Sequence, residues 1–150
     1  MTRDDVWVAY ADTQVTIRLS EGSIVVTPTD DGDGTLDETW HVITAHNPAS
    51  VPLSDEENQR RHDELVDALM TAQRVVVPAA GQGLDGSWPA EQSVAVRGID
   101  TAAAVELGRQ LGQLAIFRVG PDRIFVIDCD DAAVRSSRPI AVTRLHNDEH

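Results

Sequence analysis

The sequence predicts an α+β domain, a mostly antiparallel sheet with two helices packed on one face. Three observations lead there. Helix-start signals stand at Ser54 and Asp100. Short stretches of alternating apolar and polar residues, bounded by turn residues, flank both helices. From the third strand onward the order is β-α-β-β-α-β, that of a ferredoxin-like split βαβ core. The whole chain is expected to read β-β-β-α-β-β-α-β-β, with one domain over residues 1–128. Residues 129–150 are expected to be a polar tail with room for a short edge strand.

The elements follow in order. Asp4 to Tyr10 is a short lead-in that fits a helix. Val15, Ile17 and Leu19 alternate with Thr16 and Arg18, the pattern of a half-buried strand. Glu21-Gly22 marks a turn, and Ser23 to Thr27 completes a hairpin. A loop runs from Pro28 to Glu38, and a third strand centres on His41 to Thr44. Ser54 with Glu57 forms a capping box, Asp55 and Glu56 suit the positive end of the helix dipole, and Leu65 and Leu69 continue one face to about Thr71. Arg74 to Val77 is β-branched and reads as a strand, Ala79 to Ala90 as a glycine-rich loop, and Ser93 to Arg97 as the next strand. Asp100 caps the second helix, which stops near Gly112. Gly108 within it is expected to pack closely against a neighbour, because a helical glycine costs about 1 kcal/mol relative to alanine. Leu114 to Val119 and Arg123 to Asp128 form a second hairpin, and Pro139 to Leu145 is a short apolar stretch in the tail.

Composition excludes several chemistries. The chain has 150 residues, with 25 acids and 12 bases, and every base is an arginine. Without lysine there is no Schiff-base chemistry and no phosphate-binding P-loop. The single cysteine, Cys129, cannot build an internal disulfide, a cysteine-rich zinc site or an iron–sulfur cluster. Its neighbours Asp128, Asp130 and Asp131 oppose a reactive thiolate. No apolar run is long enough to span a membrane, and the first residues lack a signal-peptide core, so the expected compartment is the cytoplasm. A net charge of −13 argues against nucleic acid as a partner. The acidity is uneven. Residues 1–70 carry 15 acids and 4 arginines, against 10 and 8 in the remainder. This reads as surface charge that favours solubility.

Two motifs fail on inspection. Asp31-Gly32-Asp33-Gly34 suggests a calcium loop, but that register puts Thr29 first and Trp40 twelfth, which removes two of its ligands. Gly81-x-Gly83-x-x-Gly86 matches a dinucleotide fingerprint, but no helix opens behind it. The histidines offer no helical metal pair. No metal and no cofactor are expected.

The informative polar residues lie elsewhere. Asn47 leaves a strand before Pro48 and is a good turn former. On the following helix, Asn58, Arg61 or His62, Leu65 and Leu69 share one face, so that face turns polar next to the 44–48 loop. A buried asparagine needs partners. Trp88, Glu91 and Ser93 close the glycine-rich loop, and Gln113 follows the second helix. One expectation is a pocket between the 44–48 loop, the start of the first long helix and the 81–93 loop. There Asn47, Asn58, Ser93 and Gln113 would orient a small polar ligand, Arg61 would pair an anion, Trp88 would stack on a ring and Glu91 would act as general base. The other is a non-catalytic interaction or regulatory domain in which the same residues form a structural polar network. Sequence alone sets neither the ligand nor the oligomeric state.

These residues also carry a resemblance. Ala9-Tyr10-x-x-Thr13, Ile43-Thr44-Ala45-x-Asn47-Pro48, Asn58, Trp88-x-x-Glu91-x-Ser93 and Gly112-Gln113-x-Ala115-Ile116-Phe117 together resemble the bacterial family known as domain of unknown function 3293. The likeness spans residues 9–119. That family carries an aromatic, often tryptophan, where this chain has His46. The resemblance implies no activity or cofactor, but it implies that Asn47, Asn58, Glu91, Ser93 and Gln113 form one constellation.

Overall fold

A computed structural model describes residues 3–47, 51–84 and 90–146. Its elements are α1 (Arg3–Ala11), β1 (Thr13–Leu19), β2 (Gly22–Pro28), β3 (Trp40–Ile43), α2 (Asp55–Thr71), β4 (Val75–Gly83), β5 (Glu91–Arg97), α3 (Thr101–Gln110), β6 (Ala115–Val119), β7 (Arg123–Asp128) and β8 (Val134–His146). The strands close into an eight-stranded barrel in the order β1-β2-β8-β7-β6-β3-β5-β4, and β4 returns to β1. Every neighbouring pair is antiparallel.

The expected open, ferredoxin-like α+β sheet with helices on one face is therefore incorrect. Two long-range pairings overturn it. β1 pairs with β4, with Val15 opposite Gly81. β2 pairs with β8, with Val26 opposite Val142. Residues 134–146, expected within a polar tail, form a strand between β2 and β7. The first part of the expected glycine-rich loop, Ala79 to Gly83, is likewise strand, paired with β1 and in part with β5.

Closure divides the apolar residues into two cores. Alternate residues of the strands point inward and fill the barrel, among them Val15, Ile17, Val26, Val42, Ala95, Val119 and Ile140. Their neighbours in sequence face outward. Ile43, Val94, Val96 and Ile116 meet Leu65 and Leu69 of α2 and Ala104 and Val105 of α3. Ser54 caps α2, its hydroxyl accepting from the Glu57 amide at 3.1 Å, while the Glu57 carboxylate turns to Arg60, and Asp100 caps α3 through Ala103 at 2.7 Å. Gly108 packs closely, as its place in a helix implied. A Cβ there would lie 2.8 Å from both Cys129 Sγ and Ile116 Cγ2.

The buried face of α2 is Asn58, His62, Leu65 and Leu69. Its apolar half sits on the barrel wall, and its polar half faces the loop that leaves β3. This placement sets up the site.

Candidate functional site

The loop after β3 is held by side chains at four successive backbone groups. The Ala45 carbonyl accepts from Arg61 Nε at 2.8 Å. The His46 amide donates to Thr44 Oγ1 at 3.0 Å. The His46 carbonyl accepts from Gln113 Nε2 at 2.9 Å. The Asn47 amide donates to Asn58 Oδ1 at 2.9 Å. An irregular segment must satisfy its peptide groups without a ladder, and the partners come from α2, from Thr44 of the loop itself and from Gln113 between α3 and β6.

The asparagine pair is internally determined. The Leu53 amide can only donate, and it meets Asn47 Oδ1 at 2.9 Å. Asn58 Nδ2 donates to the same oxygen at 2.9 Å. Those contacts fix the Asn47 amide, so its Nδ2 faces Glu91 Oε2 at 3.5 Å, the outer limit of a hydrogen bond. Asn47 has a φ of 45°, a left-handed conformation that asparagine tolerates better than most residues. Asn58 is 6% exposed. It could not be buried there without this set of partners.

Glu91 is the half-buried carboxyl at the edge of this frame, at the first position of β5. Burial raises its pKa above the ordinary value, while the Thr44 hydroxyl and the Asn47 amide pull it down less strongly. A carboxylate so shifted is a better proton acceptor than a free one. Ser93 is buried, and its hydroxyl donates to the Glu91 carbonyl at 3.2 Å.

The expected site residues thus divide into groups. Asn47, Asn58, Arg61, Glu91 and Gln113 converge on one loop, as expected of a cluster. Arg61, expected to pair an anion, donates to two carbonyls instead, those of Ala45 and Leu111, the latter at 2.6 Å. Trp88 lies outside the described residues, as does Pro48 of the expected 44–48 loop.

Two histidines join the cluster more fully than composition suggested. His46 and His62 meet edge to face with centroids 6.2 Å apart, and His46 Nε2 lies 3.3 Å from Gln92 Oε1. Burial lowers the pKa of both, and each retains some opposing influence from a nearby carboxylate. The Nδ1 of His62 is buried without a partner among the described residues. The helical spacing of His62 with Asn58 is the signal that places it here. Among the described residues, no group of three or more histidine, cysteine or carboxylate side chains converges to hold a metal. No helix among them is long and apolar enough to cross a membrane.

Fold and rim together define a small antiparallel barrel that carries three helices, with an amide–carboxyl cluster at one end of the wall that α2 and α3 cover. Residues 43–116 match the family model described as "Protein of unknown function (DUF3293)", and the chain belongs to that family. The matched segment runs from the end of β3 into β6, so it contains Asn47, Asn58, Arg61, Glu91, Ser93 and Gln113. No curated protein and no solved structure matches the chain.

Proposed function

We propose that the domain binds a small polar ligand at the barrel rim, between the loop after β3, the start of α2 and the start of β5. Glu91 is the group that meets the ligand, as a hydrogen-bond acceptor or a general base. The observation that carries this reading is the setting of Glu91: a half-buried, desolvated carboxyl whose polar neighbours are the Thr44 hydroxyl and, at 3.5 Å, the Asn47 amide. Asn58, Arg61 and Gln113 support it differently from Asn47. They hold the loop backbone and so fix where Asn47 stands, while Glu91 is placed by the pairing of β5 with β4. A rigid frame of this kind keeps a reacting group in position without itself touching substrate. Cys129 is a buried free thiol, at home in the reducing cytoplasm we assign to the chain.

One observation favours the second reading, a non-catalytic interaction domain. The frame satisfies its own amides and carbonyls within the chain, and such a network rigidifies a fold without any ligand. A thermal-shift screen against nucleotides, sugars and polar metabolites separates the two. A ligand present at a hundred times its Kd stabilises by about 2.7 kcal/mol. For a domain of this size that is roughly 5–10 °C. The pocket reading expects such a hit, lost in Glu91→Gln while that variant stays folded. A broad screen in which no hit is lost in that variant favours the interaction reading of the rim cluster.

A further inference from the structure

A second polar cluster lies on the outer barrel wall, towards the opposite end of β5 from Glu91. His41, Arg118 and Phe125 are cross-strand neighbours on β3, β6 and β7. They form one row, and the start of α3 stands over it. His41 Nε2 lies 2.9 Å from Thr101 Oγ1, and Arg118 Nη1 donates to the same oxygen at 3.4 Å. The Arg118 guanidinium lies over the Phe125 ring, 4.1 Å from its centroid. These side chains line a cleft of about 410 Å³, whose rim carries Asp100 and Asp122.

We propose that this cleft is a ligand site for a small zwitterion of the α-amino-acid class, with its carboxylate on Arg118 and its ammonium towards Asp100 and Asp122. The volume falls in the usual range for small-molecule sites, about 300–1,000 Å³. A guanidinium stacked on an aromatic ring keeps its edge for planar, bidentate recognition of a carboxylate. Burial and the neighbouring Arg118 push the His41 pKa down to about 4, so at neutral pH His41 adds a hydrogen-bonding group without adding charge. The two aspartates decide the class. A simple anion would face both of them in a chain of net charge −13. A zwitterion turns the same carboxylates into partners. Ile99 and Pro121 line the remainder of the cleft and offer apolar contact to a side chain.

The test is calorimetry and thermal shift with the twenty free L-amino acids, with the N-acetyl and amide derivatives of any that bind, and with inorganic phosphate. At least one free amino acid should bind, and both of its capped derivatives should bind about tenfold or more weakly, since each loses a charge-assisted contact. Arg118→Met should abolish binding, Asp122→Asn should weaken it about tenfold, and Glu91→Gln should leave it unchanged. Three results overturn the assignment: no free amino acid binds at millimolar concentration, phosphate or the N-acetyl derivative binds as well as the free amino acid, or affinity survives Arg118→Met. Should Arg118→Met fold poorly, Asp122→Asn on its exposed turn decides, and unchanged affinity there overturns the assignment. Because Glu91→Gln leaves this cleft intact, failure at one site is distinguishable from failure at the other.

Discussion

Asn58→Ala removes the centre of the loop frame. Two hydrogen bonds of 2.9 Å disappear, one from the Asn47 amide and one to Asn47 Oδ1. Each contributes about 1 kcal/mol net, and the orphaned Asn47 N–H adds about 1–3 kcal/mol if water cannot reach it. The loop lies at the rim and Asn47 is partly exposed, so water recovers part of that penalty. The expected loss is about 2–4 kcal/mol. For a chain of this length that lowers Tm by roughly 5–15 °C. Guanidinium unfolding measures the stability, and amide exchange at Asn47 and Leu53 locates the effect. Both amides should exchange faster in the variant by a larger factor than amides of β2 and β8. A loss under about 1 kcal/mol with Asn47 exchange unchanged would refute the view that Asn58 holds this loop.

Three further outcomes follow from the packing. Gly108→Ala places a methyl 2.8 Å from Cys129 Sγ and Ile116 Cγ2; overpacking of this kind costs about 1–3 kcal/mol. Adding Cys129→Ala should return part of that loss, and strict additivity in the double-mutant cycle would contradict the contact. Ile140 of β8 is fully buried inside the barrel, so Ile140→Ala should destabilise by about 2–5 kcal/mol; a change near zero would show that β8 does not seal the barrel. The folded pKa of His41 lies below its ordinary 6.5, at about 4, so its neutral form favours folding. That contribution is complete above pH 6.5 and is lost as pH falls towards 4, amounting to at most about 3 kcal/mol. His41→Gln should therefore lose less stability than wild type between those pH values. His46 and His62 titrate in both proteins, so the difference between the two curves isolates His41, and parallel curves would refute its buried, neutral state.

Local structure was legible in the sequence, and its closure was not. The caps at Ser54 and Asp100, the Leu65/Leu69 face and the second hairpin follow from signals within a few residues of each other. The pairings of β1 with β4 and β2 with β8 join segments far apart in the chain, and no period reports on them. Gly81 and Gly83 read as loop because glycine is uncommon in strands. In the barrel they occupy β4, and a Cβ on Gly81 would meet Thr13 Cγ2 at 3.5 Å. The site shows the same division. Buried amides had to find partners, which brings Asn47, Asn58 and Gln113 together. Which group donates to which was not readable, so Arg61 was expected to meet an anion when its N–H groups face carbonyls. The row His41, Arg118 and Phe125 escaped notice because it exists only across three strands in register.

The functional account stands on Glu91 as a desolvated carboxyl beside the loop frame. The most direct measurement is the NMR titration of its side-chain carboxyl, labelled with ¹³C, in the free protein. The account predicts a midpoint above the ordinary 4.5, falling back towards that value when Asn58→Ala loosens the loop and admits water. A midpoint at or below 4.5 in the intact protein would contradict it, because the carboxyl would then be solvated or firmly paired and nothing would distinguish it from a surface glutamate.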